Sequence, residues 1–152
     1  MKHKRKVQLL IDNSFATGSA FDFEINIPDD TKTVFRSVYS VELLSASVPK
    51  VADDLFVILD IPELRTSSNC QSNNPFADDA FCCLFFDNSL LNPGDFKTID
   101  KMYSQKSTLN PPRQLGHTLR VKIKRPDGTV VDPAQTNGEE RVVILLSIGV
   151  LE

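Results

Sequence analysis

A chain of 152 residues, 41% hydrophobic and 24% charged, is long enough for one domain that buries roughly 70% of its unfolded surface without a metal or disulfide staple. A formal net charge of −3 excludes a domain built around a broad basic face for wrapping nucleic acid, though not local cationic patches. No apolar run approaches the ~20 residues of a membrane helix, and the composition argues against disorder over most of the chain.

The chain opens on a short cationic arm, Met1–Lys6, in which Lys2, Lys4, Arg5 and Lys6 are candidates for contact with an anionic partner, nucleic acid or anionic lipid. A solvated tail is the competing reading. The arm lacks interleaved aromatics and so has no means of reading bases. Residues 7–152 are expected to form the domain proper, beginning with a strand at Val7–Ile11 that ends in the turn-prone Asp12-Asn13-Ser14. Phe21, Phe23, Ile25 and Ile27 alternate with polar residues until Pro28, which predicts a half-buried strand.

Val34–Val48 carries two periodicities at once. Val34, Val38, Val41 and Val48 suit a helix, whereas the serines and β-branched residues favour a long strand, bent or bulged and closed by Pro49. The strand is the expectation. Leu55–Ile61 is a continuous apolar run that predicts a strand covered on both faces, and Thr66–Asp79 is polar enough to be a long surface loop. Phe81–Phe86 predicts another buried strand. Leu90–Gly116 is expected to be mainly irregular, with one short strand at Phe96–Ile99 and a proline-bearing loop at Leu109–Pro112. The last third reads as a β-ribbon. Leu119, Val121 and Ile123 alternate with Arg120, Lys122 and Lys124, the turn Arg125–Thr129 reverses the chain, and Arg141–Ile148 closes it. About eight or nine short strands with few helices predict an antiparallel β-sandwich, all-β.

Residues that could carry chemistry are scarce. Cys70, Cys82 and Cys83 are odd in number, and adjacent cysteines rarely pair, so reduced thiols and a reducing compartment are expected. Cys82 or Cys83 could be matched with His117 as a thiol–imidazole pair, but their apolar neighbours favour core packing. Cys70, Cys82, Cys83 and His117 lack zinc-site spacing. The pairs Asp29-Asp30, Asp53-Asp54 and Asp78-Asp79 could bind calcium, yet aspartate at strand ends more often bonds its own backbone. Gly94 and Gly128 stand without a phosphate-loop pattern, so no cofactor and no enzyme activity is expected. Zero tryptophans remove the best platform for a sugar, although a carbohydrate- or receptor-binding sandwich stays open as the alternative.

Four segments together resemble a known group: Arg36–Pro49 (RSVYSVELLSASVP), Phe56–Pro62 (FVILDIP), Leu109–Pro112 (LNPP) and Leu119–Gly128 (LRVKIKRPDG). Their order and spacing over about Val34–Ile148 are similar to those of small capsid proteins of large double-stranded DNA viruses of the nucleocytoplasmic type. That resemblance implies a single jelly roll of about eight strands serving as a minor capsid or penton protein. It further implies a place in the virion after assembly in the host cytoplasm, with other capsid proteins, including the major capsid protein, as partners. A homo-oligomer, a pentamer first, would form in the particle, with the arm towards an inner membrane or the genome. No catalytic residue is carried over.

Overall fold

A computed structural model describes residues 3–27, 34–65, 70–86, 92–99 and 106–151. Among them lie ten strands: β1 (Lys4–Asp12), β2 (Thr17–Gly18), β3 (Asp22–Asn26), β4 (Val38–Pro49), β5 (Phe56–Asp60), β6 (Cys82–Phe85), β7 (Phe96–Ile99), β8 (Lys106–Arg113), β9 (Thr118–Lys124) and β10 (Val143–Leu151). They form two antiparallel sheets. One runs β1-β10-β4-β7, with β8 also on β4, and the other β2-β3-β9-β5-β6.

The pairings are nested. β1 joins β10, β3 joins β9, β4 joins β7 and β8, and β5 joins β6, so the first half of the chain meets the second in reverse order like one long hairpin. Two further pairings, β10 with β4 and β9 with β5, roll that hairpin into two sheets. This winding is a single jelly roll.

Period-two alternation fills the space between the sheets. Leu9 and Ile11, Ile144, Leu146, Ile148 and Val150 face inward from one sheet; Phe23, Ile25, Leu119, Val121, Ile123, Val57 and Leu59 face them from the other, within one apolar cluster. The alternation expected at Phe21–Ile27 and at Leu119–Lys124 is what the structure contains. The dual periodicity of Val34–Val48 also has its explanation. β4 slips against β10 between Leu145 and Leu146 and again between Gly149 and Val150, leaving Leu44 and Tyr39 as extra residues. Its core-packed hydrophobic side chains therefore fall at Val38, Val41, Leu43, Ala46 and Val48. The steps of three at each bulge imitate a helical stripe.

Three expectations need correction. Lys4, Arg5 and Lys6 are not an arm ahead of the domain, because they are the first residues of β1, in register with Leu151, Val150 and Gly149. Leu109–Pro112 is not a loop but part of β8. Proline is tolerated there because, among the described residues, β8 bonds only one neighbour and swells outward, with Ser40 opposite Thr108 but Val38 opposite Arg113. The closing ribbon is divided, since β9 and β10 belong to different sheets. Only the tip at Arg125–Val130 is hairpin-like: Arg125 N–H donates to the Thr129 carbonyl at 2.7 Å, and Lys124 bridges to Val130. Gly128 has a φ of 87°, and a Cβ there would run into the Phe76 ring.

Residues 70–80, ahead of β6, lie over the outer face of the second sheet. Ala77 and Ala80 pack on Ile58, which points away from the main core yet is fully buried. β5 is thereby covered on both faces, as its uninterrupted apolar sequence predicts. Asn74 reaches the far end of the sandwich, where its Nδ2 donates to the Pro126 carbonyl at 2.9 Å.

Candidate interaction surfaces

The cationic start of β1 is the site singled out by sequence. Lys2 lies outside the described residues. Strand geometry separates the other three: Leu9 and Ile11 face the core, so Arg5 shares their side, whereas Lys4 and Lys6 project outward. Lys4 Nζ sits 5.2 Å from the centre of the Tyr39 ring, close enough for a cation–π attraction. Tyr39 in turn lies across Gly149, where a Cβ would collide with both the ring and Ser40. A bulge residue, a glycine on the neighbouring strand and an edge-strand lysine thus make one local device.

The opposite end of the sandwich has the other sign. Its connecting loops expose Asp53, Asp127, Asp132 and Glu140, with Glu139 half-buried beside them. Two cations there are tied inward. Arg125 forms a two-pronged pair with Asp54 at 2.8 and 3.1 Å. Lys50 donates to the carbonyls of Ala52 (3.2 Å) and Asp54 (2.7 Å) and lies 5.1 Å from the Phe86 ring. The Arg125 pair fastens the loop after β4 to the tip after β9, and the Lys50 contacts close that loop on itself and on Phe86.

Among the described residues the most deeply placed charge is Asp60, at the end of β5 on the outer face. Its side chain is 3% exposed. Arg65 Nε donates to Oδ1 at 2.8 Å, Arg65 Nη2 bonds Oδ2, and Lys124 Nζ lies 2.9 Å from Oδ2. Burial works to raise the Asp60 pKa, but hydrogen bonds and charges from Arg65 and Lys124 outweigh it and hold the carboxyl below its ordinary range. Sequence reading passed over this residue inside the apolar run. A signal existed: a carboxylate in a strand covered on both faces needs a partner, and β9 alternates cations on one side.

The thiol–imidazole pair is not assembled. Cys82 faces the main core and Cys83 the outer face. Cys83 is level with Ile58, and Ile58 with Lys124, while His117 precedes the other end of β9. That places the groups on the order of 20 Å apart. Burial pushes the Cys82 thiol far up. Of the acidic pairs, Asp29-Asp30 lies outside the described residues, Asp54 is taken by Arg125, and Asp78 Oδ1 accepts from the Ser72 N–H at 3.3 Å. Among the described residues no three metal-ligating side chains converge, and no helix is long and apolar enough to cross a membrane.

Exposed apolar side chains occupy both lateral edges. Leu10 and Phe15 flank a shallow cleft lined also by Leu9, Asp12, Glu24 and Asn26. Leu55 and Phe85 stand at the other edge, where the Phe56 and Phe85 rings lie 5.3 Å apart.

By its strand order the chain is a jelly-roll protein whose interior is filled by its own side chains. No protein-family model and no curated protein matches it. Among solved structures it is similar to a chain of the crystal structure of tomato aspermy virus, with 12% identity and a TM-score of 0.39 over 95% of this chain and 76% of that one.

Proposed function

We propose that this protein is a structural subunit of an icosahedral virus shell, a penton or minor capsid protein that works by contact between subunits. The nested pairing of the strands carries the reading, because that winding is used by viral capsid, lectin and cupin domains. Two features favour the first of these. The space between the sheets is packed with Phe, Val, Ile and Leu, where a cupin would hold its metal ligands. The four sequence segments that resemble small capsid proteins fall on β4, β5, β8 and β9, the strands whose pairings build both sheets.

In a shell, opposed lateral edges of one copy meet those of the next, and a ring closes when the rotation fits. The apolar residues on the two edges suit that use. The cationic end would face a polyanion inside the particle, membrane or genome, and the acidic loops would face outward.

Quantitative mass spectrometry of purified particles against the major shell protein tests the proposal. About five copies per vertex are expected for a penton ring. A much higher count indicates a cementing position, and absence from the particle overturns the capsid reading in favour of a binding module. The orientation has its own test. Lys4→Glu combined with Lys6→Glu is expected to weaken binding to phosphatidylserine vesicles or to duplex DNA at least tenfold, with wild-type affinity falling as salt rises. Equal binding by the variant, or no wild-type binding to either at low salt, removes the inward-facing role.

A further inference from the structure

Cys70 and Cys83 are thirteen positions apart in sequence but meet on the outside of the second sheet. β6 turns Cys83 outward, beside Ile58 and beneath Ala77 and Ala80. The overlying segment brings Cys70 to it. The Asp79 N–H donates to the Cys70 carbonyl at 2.9 Å, which ties Cys70 to the residue before Ala80, and Ala80 with Ala77 packs in the cluster that holds Ile58 and Cys83. Asp79 holds a φ of 64° to make that closure. The two thiols lie close enough for each to act on the other. Both side chains are partly accessible, whereas Cys82 faces the core.

We propose that Cys70 and Cys83 are an oxidation site, a thiol pair that closes to a disulfide when the protein meets an oxidising low-molecular-weight disulfide and so locks residues 70–80 onto the sheet. The exchange balances in two steps. The Cys70 thiolate attacks one sulfur of oxidised glutathione, forming a mixed disulfide and releasing one glutathione thiolate. The Cys83 thiolate then attacks the Cys70 sulfur, forming the protein disulfide and releasing the second. Two electrons pass to the glutathione, and the two thiol protons end on the two released glutathiones. Burial and the adjacent thiol hold the Cys83 pKa up to about 11, which makes Cys83 the slower, resolving partner. Cytosolic glutathione would keep the pair reduced, and transfer to an oxidising exterior would close it.

The full-length protein is incubated with reduced and oxidised glutathione at graded ratios, alkylated while native, and mapped by mass spectrometry. The expected product is a monomer 2 Da lighter, with Cys70 and Cys83 in one cross-linked peptide and Cys82 alkylated only after unfolding. Its thermal midpoint should rise by several degrees and return with dithiothreitol. Cys70→Ser and Cys83→Ser should each abolish the cross-link, and Cys82→Ser should retain it. The wild-type map decides the matter even if a variant fails to fold. A link involving Cys82, dimers joined through Cys70, or a glutathione adduct that persists at Cys70 without a cross-link would each overturn the proposal.

Discussion

Phe23→Ala is expected to lower folding stability by about 3–5 kcal/mol, the range for removing a buried phenylalanine, as read from equilibrium urea denaturation. Phe23 lies on β3 opposite Val121 of β9, 2% exposed, in the cluster that joins the two sheets. Two losses combine. The ring's apolar surface no longer leaves water on folding, and the cavity stays partly unfilled because its neighbours are held by ladders in both sheets. Phe15→Ala is the control. Phe15 is 89% exposed, so its removal should change stability by no more than about 0.5 kcal/mol. Comparable losses in the two variants would mean that the inward alternation of β3 has been misassigned.

The second large effect is at Asp60. Asp60→Ala leaves Lys124 and Arg65 facing an empty site beside a covered sheet, and removal of one partner from a buried ion pair costs about 3–5 kcal/mol. The lower end is expected, because Arg65 is 48% exposed and can turn to water. Asp60 also predicts the acid limb of stability. Its native pKa is below the ordinary aspartate value of 3.8, so the unfolded chain takes up a proton at a higher pH than the folded one does. The contribution is therefore complete above the unfolded value and is lost as pH falls through the native one. Asp60→Asn should be less stable at neutral pH and should show a shallower loss on acidification below about pH 4. An acid limb identical to the wild type would show that the Arg65–Asp60–Lys124 group does not govern acid stability.

Much of the fold could be read from single strands. Phe21–Ile27 and Leu119–Lys124 alternate so cleanly that their buried faces follow from the pleat alone, and Pro49 and Pro62 mark where β4 and the turn after β5 change course. Leu55–Ile61 showed that both its faces were covered. It could not show that Ala77 and Ala80, some twenty residues on, supplied the second cover. β4 was legible only as an ambiguity, because a bulge is a relation between two strands: Tyr39 and Leu44 are extra only with respect to β10. β8 was hidden by Pro111-Pro112, whose breaking signal is valid within a central strand and weak on an edge. The cationic run was visible, but its entry into β1 depended on Gly149–Leu151 lying alongside.

The functional groups divide in the same way. The alternation of β9 exposed Arg120, Lys122 and Lys124 as an outward row, whereas the carboxylate that engages Lys124 came from a strand some sixty residues earlier. Cys70 and Cys83 were two in a count of three until residues 70–80 lay over the sheet.

By itself the sequence determined which residues go inside, the all-β class and the turns at strand ends, since these follow from side-chain hydrophobicity, a two-residue pleat and local backbone preference. Only the tertiary structure decided sheet membership, bulge positions, the meeting of Asp60 with Lys124 and the approach of the two thiols. In a jelly roll nearly every pairing joins the first half of the chain to the second. Register and neighbourhood are therefore fixed by contacts across the whole length of the chain, which local periodicity does not encode.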